Sequence, residues 1–167
     1  VRRLSATGYV EWVLGDLRPK TAMHVITEID GRSGALLARN AYNTEFAGRV
    51  AFAHLSDPVR SATGDRGLFV GRNGALESPA GMHTPLLPPR FGAGLDPCAA
   101  LQIGVDLAPG ASHQVVLLLG QGMNEPHARE LIARHGTVEA ATAALKRVEA
   151  AWDHTLGAIE VHTPDDS

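Results

Sequence analysis

The chain has 167 residues, of which 44% are apolar and 20% are charged, and its formal net charge is -3. This composition is typical of a globular domain and argues against a disordered or fibrous chain. The acidic balance and the scattered basic residues argue against a nucleic-acid partner. The single cysteine, Cys98, excludes an intrachain disulfide and a multi-cysteine metal site.

The first half of the chain predicts a series of strands. Alternating apolar residues and β-branched or aromatic residues indicate strands at 4–14, 22–29, 35–39 and 46–55. Asp30 and Gly31, between the second and third strands, predict a type I′ hairpin turn. Residues 39–43 predict irregular backbone, and glycine and proline interrupt residues 56–97, where short strands are expected around Thr63 and Phe69.

The strongest strand pattern lies between Ala99 and Gly120. Residues 101–107 carry an apolar side chain at every second position, which predicts a half-buried strand. Pro109 and Gly110 then predict a type II turn. Residues 115–119 are apolar without alternation, which predicts a strand covered on both faces. We interpret the two strands and their turn as a hairpin at the core of the domain.

Two helices follow the strands. Asn124 is a predicted N-cap with Pro126 in the first turn, and Gly136 is a predicted stop. Thr137 is the predicted N-cap of a longer helix that ends at Gly157. Its apolar stripe, at spacings of three and four, consists of Val138, Ala141, Leu145, Val148, Trp152 and Leu156. The predicted fold class is therefore mainly β, an antiparallel sandwich followed by two α-helices.

The residues themselves supply no complete catalytic or metal-binding constellation. The eight histidines lack metal-ligand spacing, and His24, within a predicted strand, is interpreted as a hydrogen-bonded core residue. Asp65 and Arg66 are interpreted as a surface ion pair. The FVGRNG segment at 69–74 lacks the lysine and the helix start of a phosphate-binding loop, and Asn73-Gly74 is a common turn pair.

Five stretches of the sequence resemble a known family. They are similar to the amino-terminal sandwich region of glycoside hydrolase and phosphorylase family 94, and within it more to the cyclic β-1,2-glucan synthases than to the cellobiose phosphorylases. The stretches are TGYVEWVLG (7–15), ARNAYNTEF (38–46), TGDR (63–66), FVGRNG (69–74) and GAGLDPCAALQ (92–102).

The resemblance implies a domain division. Residues 1–122 correspond to a β-supersandwich domain, residues 123–157 to a helical linker, and residues 158–167 to the run-in to an (α/α)6 catalytic barrel that this chain lacks. The chain begins without methionine and directly on a predicted strand, so we expect it to be a segment of a longer protein. We expect a cytoplasmic location, within a parent protein anchored in the inner membrane.

The resemblance also implies the chemistry of the parent enzyme. Family members carry out inverting phosphorolysis or transglycosylation of β-glucosides, with an aspartate general acid on the barrel and inorganic phosphate as a substrate. We therefore expect this chain by itself to be inactive, with no catalytic residue, no metal and no cofactor. Arg72 and Asn73 are the substrate-binding residues carried over from the family, because loops at the sandwich rim can reach the sugar.

Three functional hypotheses follow. The first is a non-catalytic domain that supports the glucan site of such an enzyme, with the barrel and a β-glucan as partners. The second is an autonomous carbohydrate-binding module, which requires an exposed aromatic platform; Trp12 and Trp152 both lie on predicted packing faces. The third is an assembly role, in which a sheet edge at Arg2 pairs with a second copy to form a homodimer.

Overall fold

Two antiparallel sheets pack face to face in the computed structural model, which describes residues 1–42 and 44–158. One sheet has the strand order β1-β6-β5 and the other has the order β2-β3-β4-β7. The strands are β1 (Arg2–Glu11), β2 (Val25–Ile29), β3 (Leu36–Asn40), β4 (Val50–Leu55), β5 (Ser61–Asp65), β6 (Pro97–Leu107) and β7 (Leu117–Gly122). The predicted mainly β sandwich is confirmed.

Four α-helices accompany these strands in the described ranges. They are α1 (Arg18–Thr21), α2 (Arg66–Val70), α3 (Glu125–His135) and α4 (Val138–Leu156). The predicted caps of the two long helices are confirmed, because the Asn124 side chain accepts a hydrogen bond from the His127 amide and the Thr137 hydroxyl accepts one from the Ala140 amide. Most of the predicted run-in, residues 159–167, lies outside the described residues.

The central core lies between the two sheets. On β6, Leu101 and Ile103 are fully buried and point into this core, as the alternation of the strand predicts. The full set of buried core residues is Trp12, Val25, Leu36, Ala38, Ala51, Ala53, Leu55, Ala62, Ala99, Leu101 and Ile103. Small residues on several strands bring the sheets close together around a few large side chains.

Both sheets are also covered on their outer faces. Ala128 and Ile132 of α3 pack on the four-stranded sheet, and Phe69 and Val70 of α2 pack on the three-stranded sheet. Strands β3 and β4 and the first half of β6 are therefore buried on both sides. This explains why these strands are apolar without strict alternation.

The predicted 99–120 hairpin is wrong, because its two strands belong to different sheets. Strand β6 pairs with β1 and β5, whereas β7 pairs with β4. The predicted turn itself forms: the Ala111 amide donates to the Ala108 carbonyl at 3.1 Å, and Gly110 has φ +75°. The alternation of apolar residues identifies the buried face of a strand but not the strand with which it pairs. After this turn the chain continues into the four-stranded sheet.

Other local predictions also needed correction. Strand β7 is an edge strand in which Leu117 and Leu119 are exposed, so residues 115–119 are not covered on both faces. Phe69 lies in α2 rather than in a strand, because the Asp65 side chain accepts from the Gly67 amide and begins a helix. In the turn after β2 the positive φ belongs to Gly34 rather than to Gly31, so the turn is not type I′.

Helix α3 is fixed to its sheet by an ion pair between the partly exposed Arg129 and the buried carboxylate of Asp30. The Asp30 carboxylate accepts hydrogen bonds from Arg129 at 2.9 and 3.1 Å and from the Ser33 hydroxyl at 2.6 Å. Burial alone would raise the pKa of Asp30, but the hydrogen bonds from Arg129 and Ser33 outweigh it and hold that pKa well below its usual value. The contact joins the β2–β3 turn to α3 across a long separation in sequence.

The segment 90–92 joins the two sheets along one side of the sandwich. The Gly64 amide of β5 donates to the Arg90 carbonyl at 2.8 Å, and the Thr27 amide of β2 donates to the Gly92 carbonyl at 3.1 Å. A Cβ atom at Gly64 would collide with the Thr27 side chain and would lie 3.2 Å from the Arg90 carbonyl oxygen. Glycine is therefore required for this approach of the two sheets.

We predict that Gly64→Ala lowers the free energy of unfolding by about 1–3 kcal/mol, because the added methyl group overpacks a tight contact between sheets. Urea unfolding of the chain measures the change. Gly31→Ala is the matched control, since a Cβ there meets nothing within 4 Å, and we expect it to be near neutral. Equal stability of the two variants would contradict this account of the sheet contact.

We predict that Asp30→Asn destabilises the chain by about 2 kcal/mol at pH 6, because it weakens charged hydrogen bonds in a buried position. The folded pKa of Asp30 is depressed, so its contribution is present above the unfolded pKa of about 3.9 and is lost as the pH falls through the folded pKa. The difference between wild type and variant should therefore shrink by about 1 kcal/mol between pH 6 and pH 3.

The control for this prediction is Asp106→Asn. Asp106 forms a solvent-exposed pair with Arg3 at 3.9 Å, and such pairs contribute little to stability. Urea unfolding at both pH values should place this variant close to wild type. A stability difference for Asp30→Asn that does not change with pH would contradict the role given to its carboxylate.

Candidate functional site

Arg72 and Asn73, predicted from the resemblance as substrate-binding residues, lie in the turn that follows α2. Both are exposed, and the turn is closed by the Gly74 amide, which donates to the Gly71 carbonyl at 3.2 Å. Within residues 1–42 and 44–158 their side chains form no hydrogen bond or ion pair. Their position at the surface is compatible with contact to a ligand or a neighbouring domain, and their role stays a prediction.

The predicted pair of Asp65 with Arg66 is wrong, because each residue has other partners. Asp65 is buried and is the N-cap of α2. Its carboxylate forms an ion pair with Arg90 at 3.4 Å. Arg66 instead contacts Glu11 at 2.8 Å and Asp96 at 3.6 Å. At the end of an extended strand, adjacent side chains point to opposite sides of the strand. Neighbours in sequence therefore rarely form an ion pair there.

Arg66 belongs to a charge network of two arginines and two carboxylates. Arg18 completes it by pairing with Asp96 and by approaching Glu11 at 3.4 Å. The Tyr9 hydroxyl donates to the same Glu11 carboxylate at 2.8 Å. The network joins the end of β1 to α1, to α2 and to the start of β6.

Within the network, the pKa of the Glu11 carboxyl is lowered, which favours its ionised form. The Arg66 hydrogen bond is the main cause that lowers the pKa of Glu11, against an opposing effect of burial. Burial, followed by the hydrogen bond to Glu11, raises the pKa of Tyr9. A general acid requires a carboxyl that retains its proton near neutral pH, and Glu11 has the opposite property. The network therefore serves to hold the fold together.

A cleft lies at the end of the sandwich, lined by the segment that follows β1 and by the end of β3. We call it the Asn40 cleft. It comprises two adjoining cavities of about 320 and 370 Å³ that share Gly15, Asp16 and Asn40. The first cavity is also lined by Leu14, Phe46, Arg49, Ala51 and Gln121, and the second by Lys20, Thr21, His24, Tyr42 and Thr44.

Asn40 organises the cleft through two hydrogen bonds. Its side-chain amide donates to the Leu14 carbonyl at 2.9 Å, and its side-chain oxygen accepts from the Tyr42 amide at 3.1 Å. Leu14 has φ +43°, a left-handed conformation that is rare for a bulky residue. The Thr21 hydroxyl donates a hydrogen bond to the carbonyl of Val13, the residue before Leu14, and so fixes the backbone there. Strained backbone of this kind is concentrated at functional sites in proteins.

An aromatic pair forms one wall of the cleft. The ring of Tyr42 lies parallel to that of His24, with centroids 4.0 Å apart and an interplanar angle of 5°. Tyr42 is 74% exposed. His24 is therefore not the core histidine within a strand that the sequence predicts; it ends a short helical turn, Ala22–His24, and stacks on Tyr42. The sequence signal for this wall was the Asn40-Ala41-Tyr42 segment, which by itself predicts only irregular backbone.

The described residues contain no other arrangement that indicates catalysis or metal binding. Within them, no group of three or more histidine, cysteine, aspartate or glutamate side chains could hold a metal ion. Cys98 is buried, and this burial raises the pKa of its thiol to about 12, so it is a poor nucleophile. None of the helices in the described ranges has the length and apolar character needed to span a bilayer.

Comparison with known proteins points to one family. The family model described as glycosyl hydrolase 94, supersandwich domain, matches residues 1–138. The cyclic beta-(1,2)-glucan synthase NdvB of Rhizobium meliloti (strain 1021) is 32% identical over 165 residues, which are 98% of this chain. The chain spans only 6% of the length of that relative.

We predict that Asn40→Ala destabilises the chain by about 2 kcal/mol, because two partly buried hydrogen bonds are lost. Urea unfolding measures the loss, and hydrogen exchange should show faster exchange of the Tyr42 amide. The matched control is Asn73→Ala, an exposed amide, for which we expect a change within about 0.5 kcal/mol. Unchanged protection of the Tyr42 amide in Asn40→Ala would contradict the organising role of Asn40.

Proposed function

Because the chain belongs to the glycosyl hydrolase 94 family through its supersandwich domain, we propose that it is a non-catalytic domain that supports the glucan site of a β-glucan-processing enzyme. The similarity to a cyclic β-1,2-glucan synthase along 98% of the chain supports this proposal. The reaction of the whole enzyme is then glycosyl transfer or phosphorolysis, with inorganic phosphate as a candidate substrate.

The chemistry of the described residues supports the non-catalytic part of the proposal. Glycosidic bond cleavage requires a protonated carboxyl within hydrogen-bond reach of the leaving oxygen. Asp30 and Glu11, two carboxylates with arginine partners, both have pKa values held below their usual range by hydrogen bonds from those arginines. They remain ionised at neutral pH. We propose that the proton donor comes from a separate catalytic barrel.

The observation that carries the supporting role is the exposed apolar stripe of α4. The predicted stripe is present, but no residue of α4 is buried in this chain. Leu145 and Trp152 are each 59% exposed, and Val148 and Leu156 lie on the same side of the helix. A contiguous apolar helix face of this kind marks an interaction surface. We propose that it packs against the catalytic domain, so that the helix joins the sandwich to the barrel.

A second candidate function is favoured by one observation. An autonomous carbohydrate-binding module requires an exposed aromatic platform, and the sequence predicts both tryptophans on packing faces. Trp12 is buried, whereas Trp152 and Tyr42 are exposed, and Tyr42 stands at a cleft. Binding of a glucan by this chain alone as tightly as by the full-length enzyme would favour the module over the supporting role, whereas weaker binding is compatible with both. Homodimer assembly remains a further proposal, to be checked by light scattering.

We predict that the double variant Leu145→Ser, Val148→Ser leaves the stability of this chain within about 0.5 kcal/mol, because both side chains are exposed here. In the full-length enzyme that carries the domain, the same variant should reduce glucan formation about tenfold, equivalent to a loss of about 1.4 kcal/mol in domain docking. Unfolding of the chain and product formation by the enzyme are the two measurements.

The matched control is Lys146→Ser, Glu149→Ser, which changes two neighbouring positions on the polar side of α4. We expect full activity from this control. Full activity of the stripe variant would remove the support for docking through α4. Glucan formation or phosphorolysis by this chain alone would contradict the non-catalytic role.

A further inference from the structure

We propose that the Asn40 cleft binds a glucosyl unit of a β-linked glucan, with the ring of Tyr42 as its stacking platform. The inference rests on the proposed function, because it names the ligand class and the residues through which the domain would contact the glucan. The cleft is distinct from the predicted Arg72–Asn73 turn, which does not line either cavity.

The size of the cleft suits a small ligand. Its two cavities of about 320 and 370 Å³ lie near the lower end of the range found for small-molecule sites. They meet at Gly15, Asp16 and Asn40, so a ligand can extend from one to the other. Two adjoining compartments are the shape expected for successive sugar units rather than for a single compact ion.

The aromatic wall supplies the apolar contact that a pyranose ring requires. A glucosyl unit presents C–H groups on its ring faces, and an aromatic ring is the usual protein surface that packs against them. The parallel stacking on His24 fixes the orientation of Tyr42, while the 74% exposure of Tyr42 leaves contact area for a ligand. A ring that is already oriented loses little conformational entropy on binding.

The polar lining offers hydrogen-bond donors and acceptors to the hydroxyl groups of a sugar. Gln121 and Arg49 are planar groups that can contact two adjacent oxygens, and Asp16 can accept from hydroxyl donors. Lys20 pairs with Asp16 at 3.0 Å, so their charges offset each other. Arg49 is then the single positive charge on the lining for which no ion pair is recorded within the described residues. Sugar hydroxyl groups can use these donors and acceptors, and a phosphate titration shows whether the Arg49 charge binds an anion instead.

The backbone of the cleft is held in place before any ligand arrives. Leu14 lines the cleft in its left-handed conformation, and Asn40 fixes both Leu14 and Tyr42. The two walls are thus set by one buried side chain. Strained backbone persists only where surrounding contacts enforce it, so the cleft is preorganised.

The test is an NMR titration of the full chain with β-1,2-linked gluco-oligosaccharides. We expect amide shifts to change for Gly15, Asp16, Tyr42 and Gln121. Tyr42→Ala should weaken binding about tenfold, the loss expected for one good aromatic contact, without unfolding the chain, because Tyr42 is exposed. Tyr42→Phe keeps the ring and should bind within about twofold of wild type.

Trp152→Ala is the control for nonspecific stacking on an exposed aromatic residue, and we expect it to bind like wild type. No shift change at the cleft of the folded chain, or equal affinity for wild type and Tyr42→Ala, would overturn the proposal. Shift changes at these residues with inorganic phosphate but not with the oligosaccharide would also overturn it. None of these outcomes alters the α4 experiment, so failure of the cleft and failure of the supporting role are distinguishable.

Discussion

The packing of α3 on the four-stranded sheet is the constraint on which the rest of the structure depends. Leu37 and Phe52 place apolar side chains on the outer face of that sheet, and they require a cover. The backbone of α3 comes so close to Gly122 that a Cβ there would lie 2.8 Å from the Ala128 Cα. Because α3 begins three residues after β7, this contact also fixes β7 beside β4. Strand β7 is thereby committed to the four-stranded sheet and is not free to pair with β6.

Sequence reasoning succeeded where the determining contacts are local. The caps Asn124 and Thr137 act within three residues, and both helices were predicted with their correct ends. The Pro109–Gly110 turn was likewise predicted correctly, but the partner of β7 depends on α3 and on the outer face of a distant sheet. The cleft was missed for the same reason, since Asn40 acts on Leu14, which lies 26 residues away in sequence. The spacing of apolar residues along the sequence carries no information about a hydrogen bond between residues so far apart.

The charge network and the cleft have complementary roles at the same end of the sandwich. The network ties Glu11, at the end of β1, to Arg18 in α1, so both ends of the segment that contains Leu14 are anchored. Thr21 adds a hydrogen bond to the Val13 carbonyl. A left-handed leucine costs free energy, and it persists where neighbouring contacts determine the backbone on both sides. The compensated charges therefore stabilise a conformation that the cleft requires.

The α4 stripe and the Asn40 cleft differ in chemistry, and the difference separates the roles proposed for them. The stripe on α4 is apolar and continuous along one helix face, which suits a protein surface that excludes water. The Asn40 cleft combines one aromatic platform with amide, carboxylate and guanidinium groups, which suits a ligand that is both apolar and hydroxylated. A domain with only the first surface would be a spacer. The presence of both is what a domain needs if it is to hold a catalytic partner and also contact the chain on which that partner acts.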